Sequence, residues 1–213
     1  MEAFSQKSLL PVLLLFHCLM SYGLANKDTT TSHLQSDQSS LLVFKSKIID
    51  PHNMLKNNWT TATSVCSWVG VTCDKNSSVI ELDISDMELA GSIPPEIDNL
   101  PLLVSLNMAN NNFTGSIPPT IFNNMSRLEF IHLDGNNLSG EIPKEIGHLT
   151  ILRILSMESQ NLTGPIPREI GNMTSLEQLQ LTNNSLTSKF RPFQLFTNWF
   201  NLFFDVIIAL EQV

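Results

Sequence analysis

Between residues 79 and 188 the apolar and polar positions repeat. Leu106 and Met108, Ile131 and Leu133, Leu155 and Met157, and Leu179 and Leu181 are pairs separated by one polar residue. Such alternation predicts short strands with one face buried. Each pair is followed by another apolar residue, Phe113, Leu138, Leu162 or Leu186. Glycines at 91, 115, 140 and 164 stand three positions before prolines at 94, 118, 143 and 167, and the prolines are 24, 25 and 24 residues apart. Proline cannot lie inside a helix or a central strand, so each Ile-Pro marks a corner. Glycine lets the chain turn into it.

A unit of this length cannot bury its own apolar face, so successive units must stack into a solenoid around a shared core. The period, the paired inward residues and the polar position after them define a leucine-rich-repeat array. Three places after the second residue of each pair stand Asn111, Asn136 and Asn184, a row whose inward amides can bridge backbone groups of neighbouring coils. Met87 and Gln160 interrupt that row. Glutamine can still reach a partner, whereas methionine has no N–H to offer.

The amino-terminal part has a different rhythm. In "DQSSLLVFKSKIID", Leu41, Leu42, Phe44, Lys45 and Ile48 fall at helical spacing, with Asp37 as N-cap and Pro51 beyond the end. Residues 26–36 are polar and expected to be disordered. Residues 1–25 combine Lys7, the apolar "LLPVLLLFHCLM" and small residues ending at Ala25, the pattern of a cleaved secretory signal. Cleavage would remove Cys18 and leave Cys66 and Cys73, an even pair in an oxidising compartment. A disulfide there would contribute roughly 2.5 kcal/mol by loop closure; the rival half zinc site lacks further ligands at usable spacing.

"DQSSLLVFKSKIIDP…NNW…VCSWVGVTCD" resembles the plant N-terminal leucine-rich-repeat cap. Residues 37–188 together resemble the start of the extracellular domain of a plant leucine-rich-repeat receptor-like kinase, including the G-x-I-P corners of the plant subclass. The resemblance implies an α/β fold: a right-handed solenoid forming a short horseshoe arc, with a parallel sheet on the concave face and 3-10 segments on the convex face. Residues 37–78 would form the cap, with paired helices and the Cys-Trp-Gly-Cys segment covering the first coil, and residues 79–188 four to five repeats. Trp59 and Trp68 would shield the open apolar end of the stack.

Candidate chemistry narrows the function further. A net charge of −8 and the lack of a basic stripe argue against nucleic acid. No phosphate loop, paired metal histidines or kinase motif appears, so no cofactor, metal or catalytic residue is assigned. His132 and Asp134 face one side of a strand, but no nucleophile accompanies them in a recognisable order. The concave face would present Asp83, Ser85, Asn107, His132, Asp134, Ser156, Glu158, Gln180 and Thr182. In the family, residues there contact peptides, microbial patterns or co-receptors, so the implied partner is a peptide, a protein or another repeat-bearing receptor ectodomain. Asn58, Asn76, Asn112, Asn124, Asn137, Asn161, Asn172 and Asn183 head Asn-x-Ser/Thr triplets and are candidate glycan acceptors on an extracellular or apoplastic protein.

Seven of the sixteen aromatic residues fall between Phe190 and Phe204 in a non-repeating tail, residues 189–213. Three readings of the tail stand: an amphipathic helix closing the stack, a membrane segment, or sequence from a truncated gene. The resulting function is non-catalytic extracellular recognition in signalling or defence. The alternative is secreted inhibition of a cell-wall hydrolase, as in polygalacturonase inhibitors, which share this repeat class.

Overall fold

The computed structural model describes residues 35–187. The signal-like segment and the aromatic tail lie outside the described residues, as does most of the polar linker. The leucine pairs build one sheet, in the order β1 (Val71–Cys73), β2 (Val79–Asp83), β4 (Ser105–Asn107), β6 (Phe130–His132), β8 (Ile154–Ser156) and β10 (Gln178–Gln180). From β2 onward the strands are parallel, and Leu82, Leu106, Ile131, Leu155 and Leu179 stand in register from coil to coil. These side chains enter one continuous apolar core that also takes in Phe113, Leu138 and Leu162. The fold is a leucine-rich-repeat solenoid.

A second parallel sheet accompanies the first, although the sequence reading treats its residues only as a return to the core and a turn. It runs β11 (Ser185–Leu186), β9 (Asn161–Gly164), β7 (Asn137–Glu141), β5 (Asn112–Gly115) and β3 (Ala90–Ser92). The physical reason lies in Asn-Phe-Thr-Gly, Asn-Leu-Ser-Gly and Asn-Leu-Thr-Gly. The middle apolar residue is buried while the flanking polar ones face outward, which is again the period of a strand.

The convex corners follow the prolines. Pro95–Asn99, Lys144–His148 and Arg168–Asn172 are 3-10 turns, each preceded by a proline in extended conformation. The coil with one extra residue uses a short α-helix instead, α2 (Ile121–Asn124). An α-turn holds more residues per turn than a 3-10 turn, so the insertion is absorbed without displacing Leu128 from the core.

The cap holds one helix, α1 (residues 35–47), and a run of turns where the resemblance implies a second helix. Asp50 organises those turns, its carboxylate accepting from the backbone N–H groups of Met54, Leu55 and Lys56 at 2.9–3.1 Å. Asp37 is not the N-cap. It lies inside α1, is 4 % exposed, and its carboxylate accepts from the backbone N–H of Val79 at 2.9 Å. The aspartate therefore fastens the cap helix to the first repeat strand.

The cap closes both sheet edges. Strand β1 pairs antiparallel with β2, and Ile49 forms an antiparallel bridge with Ala90 at the edge of the second sheet. Open edges would invite pairing with another chain, so this covering has a clear physical purpose. Behind it, Trp59 and Trp68 stack with ring centroids 5.4 Å apart. Both are buried, and their indole N–H groups donate to the Val69 carbonyl and the Thr63 hydroxyl. Gly70 completes the join with φ of +76°; a Cβ there would stand 2.1 Å from the Asp83 carbonyl oxygen. Cys66 and Cys73 are bonded, with S–S 2.04 Å and Cα–Cα 5.5 Å.

Candidate functional site

The asparagine row sits behind the concave sheet and makes it rigid. Asn111 Nδ2 donates to the carbonyls of Ile84, Met108 and Ala109 at 2.8–3.1 Å, while its Oδ1 accepts from the N–H groups of Leu89 and Met87. Asn136 donates to Met108, Leu133 and Asp134 and accepts from Phe113 at 3.0 Å. Asn184 repeats the pattern with Met157, Leu181 and Thr182 and accepts from Leu162 at 3.1 Å. Gln160 fills its place in the row, donating to the Leu133 carbonyl and accepting from Leu138 N–H at 2.9 Å. Each amide thus serves backbone groups of the preceding coil. Met87 has no such capacity; its own N–H is served by Asn111 from the next coil.

On the solvent side the outward positions form short columns across the coils. Asp83 Oδ1 accepts from the Ser85 hydroxyl at 2.7 Å and from its N–H at 3.1 Å, and Asn107 Oδ1 accepts from Ala109 N–H at 3.1 Å. Half-buried Thr182 and Glu158 continue the face.

Ser156 departs from the expectation of an outward-facing contact residue. It is only 2 % exposed, covered by its neighbours on the adjoining coils. Its hydroxyl donates to Asp134 Oδ1 and lies 2.8 Å from the Gln180 amide. Asp134 Oδ1 also accepts from Glu158 N–H at 3.0 Å, and its Oδ2 lies 3.8 Å from His132 Nδ1. Burial pushes the Asp134 carboxyl up. The contacts with His132, Ser156 and the Glu158 backbone outweigh it and hold the group below its usual range.

Serine, aspartate and histidine therefore do meet, a cluster the sequence reading missed. The signal was present: His132 and Ser156 occupy the same position in consecutive repeats, and Asp134 is two residues from His132. The order is wrong for catalysis, because the carboxylate lies between the other two and the histidine is not placed to take the serine proton. The cluster links two coils at the concave surface, with Ser156 buried and Asp134 and His132 partly exposed.

Three further residues shape that surface and were also missed. Phe130 and Ile154, each two residues before a column residue, are half-buried at the centre of the sheet. The Arg153 guanidinium lies 5.6 Å from the Phe130 ring centroid and makes two bonds to Glu177, at 2.7 and 3.0 Å. The face thus combines an aromatic and an aliphatic contact with a fixed cation and the flanking carboxylates of Asp134 and Glu158.

All eight triplet asparagines are exposed. Asn58 Oδ1 accepts from Val69 N–H, Asn76 approaches Asp74 at 3.4 Å, Asn124 donates to Asp98 at 3.1 Å and Asn183 to Ser159 at 3.4 Å. Asn161 donates to Asn137, while Asn112 and Asn172 are exposed elsewhere on the coils. Among the described residues no helix is long and apolar enough to cross a membrane.

A capped stack of short parallel strands with an amide row and a polar concave sheet is a leucine-rich-repeat domain. The family described as Leucine rich repeat N-terminal domain matches residues 34–74, and that described as Leucine rich repeat matches residues 101–162. The crystal structure of the BIR2 ectodomain from Arabidopsis thaliana superposes with a TM-score of 0.67 at 31 % identity, over 71 % of this chain and 82 % of that one. A chain of the BIR3–SERK2 complex from the same plant gives 0.66 at 33 % identity, over 70 % and 82 %. The chain belongs to the plant leucine-rich-repeat receptor family and matches part of its ectodomain region.

Among curated proteins it is 38 % identical over 72 residues to a probable leucine-rich-repeat receptor-like serine/threonine-protein kinase of Arabidopsis thaliana, covering 33 % of this chain and 7 % of that protein. It is 35 % identical over 74 residues to Polygalacturonase inhibitor 2 of the same plant, covering 33 % and 22 %. The chain thus spans under a quarter of the length of either relative.

Proposed function

We propose that this chain is a non-catalytic extracellular recognition module whose concave face binds a protein partner, foremost another leucine-rich-repeat ectodomain. The observation that carries the reading is the centre of the concave sheet, where Phe130 and Ile154 offer apolar contact beside Arg153, Asp134 and Glu158. Aromatic and arginine anchors ringed by polar groups are the usual makeup of an energetic centre in a protein interface. A chain similar to this one was solved within the BIR3–SERK2 complex, which supports a protein as the partner. Four complete described coils and a partial fifth form a short arc, suited to an interface of ordinary size rather than to wrapping a long peptide.

The module acts in the secretory pathway and at the cell exterior, in keeping with its cystine, and needs no cofactor. The hydrolase-inhibitor reading rests on the 74-residue match to Polygalacturonase inhibitor 2, and nothing on the concave face favours it.

Binding of the secreted protein to a panel of receptor ectodomains, peptides and cell-wall hydrolases tests the proposal. Phe130→Ala and Glu158→Ala should each weaken capture of an ectodomain about tenfold or more at unchanged Tm. Tight inhibition of a hydrolase, with both variants fully active, would overturn it.

A further inference from the structure

Asn112, Asn137 and Asn161 open β5, β7 and β9, and occupy the same outward position in three consecutive coils. All three are exposed and head glycosylation triplets. The last two are in contact: Asn161 Nδ2 donates directly to Asn137 Oδ1. Two candidate acceptor amides, 24 residues apart in the chain, therefore share one spot on the folded surface.

The register sets Asn161 opposite Ser139, so its side chain reaches diagonally to Asn137, two residues back on a neighbouring strand about 4.8 Å away. An N-acetylglucosamine ring with its acetamido arm is broader than that spacing. Two branched oligosaccharides rooted on amides in hydrogen-bond contact would have to interpenetrate. One sugar meets no such obstacle, because a substituted amide keeps its oxygen and one N–H, and the bond between the two asparagines survives.

We propose that Asn137 and Asn161 form a single glycan site: the folded protein carries one N-linked oligosaccharide at this pair, on either asparagine but never on both. The inference rests on the secretory reading given above. The donor is a lipid-pyrophosphate-linked oligosaccharide used by the oligosaccharyltransferase of the secretory pathway. A bond forms between asparagine Nδ2 and sugar C1, and the C1–O bond to the pyrophosphate breaks, its electron pair leaving with the lipid pyrophosphate. One amide proton passes to a base of the transferase. Transfer takes place on the extended chain, where the two triplets are far apart, so the restriction acts at folding, and doubly modified chains are held back from the folded pool.

The test is to express the full chain in plant cells, isolate the folded, disulfide-bonded protein and measure occupancy at all eight triplets by enzymatic deglycosylation in heavy-oxygen water with a mass readout. The fractions at Asn137 and Asn161 should sum to no more than unity, with at least one site clearly occupied. Ser139→Ala, which removes the first triplet and keeps both asparagines, should raise Asn161 occupancy in the folded pool by a share of the fraction Asn137 has lost, because chains modified at Asn161 are then no longer discarded as doubly modified. Thr163→Ala should do the reverse. A sum above unity, a pair that stays bare while other triplets are occupied, or the absence of transfer on removing the occupied triplet would each overturn the inference. If all eight triplets are bare, the secretory reading falls as well.

Discussion

Asn111 shows how one side chain can hold two coils. Its amide serves three carbonyls and two N–H groups and is only 6 % exposed. Leucine has similar bulk but would leave those backbone groups buried without partners. Asn111→Leu should therefore lower unfolding free energy by about 1–3 kcal/mol or more, measured by urea denaturation, whereas Glu158→Ala, on the half-buried outward face, should change it little. Asp134 gives a pH-dependent counterpart. Its folded pKa lies below the ordinary 3.8, so its stabilisation is complete above that unfolded value and is lost as pH falls through the lower folded one. The stability advantage of the native protein over Asp134→Asn should be present at neutral pH and vanish well below 3.8. An advantage that persists in acid would place the effect elsewhere.

At the scale of elements, the cap is a cover for two edges at once. Strand β1 shields one sheet, the bridge at Ile49 shields the other, and the Cys66–Cys73 bond holds β1 to the turn behind it. Reducing that bond should cost roughly 2–3 kcal/mol by the loop-closure account, read as a lower Tm, with the loss largest in amide protection of β1 and β2. The leucine pairs, the amide column and the proline corners were legible in the sequence because each returns at a fixed interval. The second sheet was not, since four residues ending in glycine read as a turn until neighbouring coils supply the ladder. Asp37 reads locally as a helix cap, and only the fold brings Val79 N–H to it. The burial of Ser156 likewise depends on Asp134 and Gln180 from the adjoining coils, which no single repeat reveals.

For the whole molecule, the division of labour follows from the stack. Leucines and amides face inward and hold the coils together, the cap protects the start, and the outward columns, apart from the Asp134–Ser156 pair, can vary without disturbing the core. The concave centre around Phe130, Ile154 and Arg153 is the part of that surface with the chemistry of a protein contact, and the exposed triplet asparagines on β5, β7 and β9 lie on the other sheet. A partner and a glycan can therefore be carried at once on separate faces. Hydroxyl-radical footprinting of the protein with its captured ectodomain partner tests this arrangement most directly. The account predicts strong protection of Phe130, His132 and Ile154, with Phe122 and the convex turns labelled alike in the free and bound states. Protection confined to the convex turns, or to the outward face of the second sheet, would contradict it.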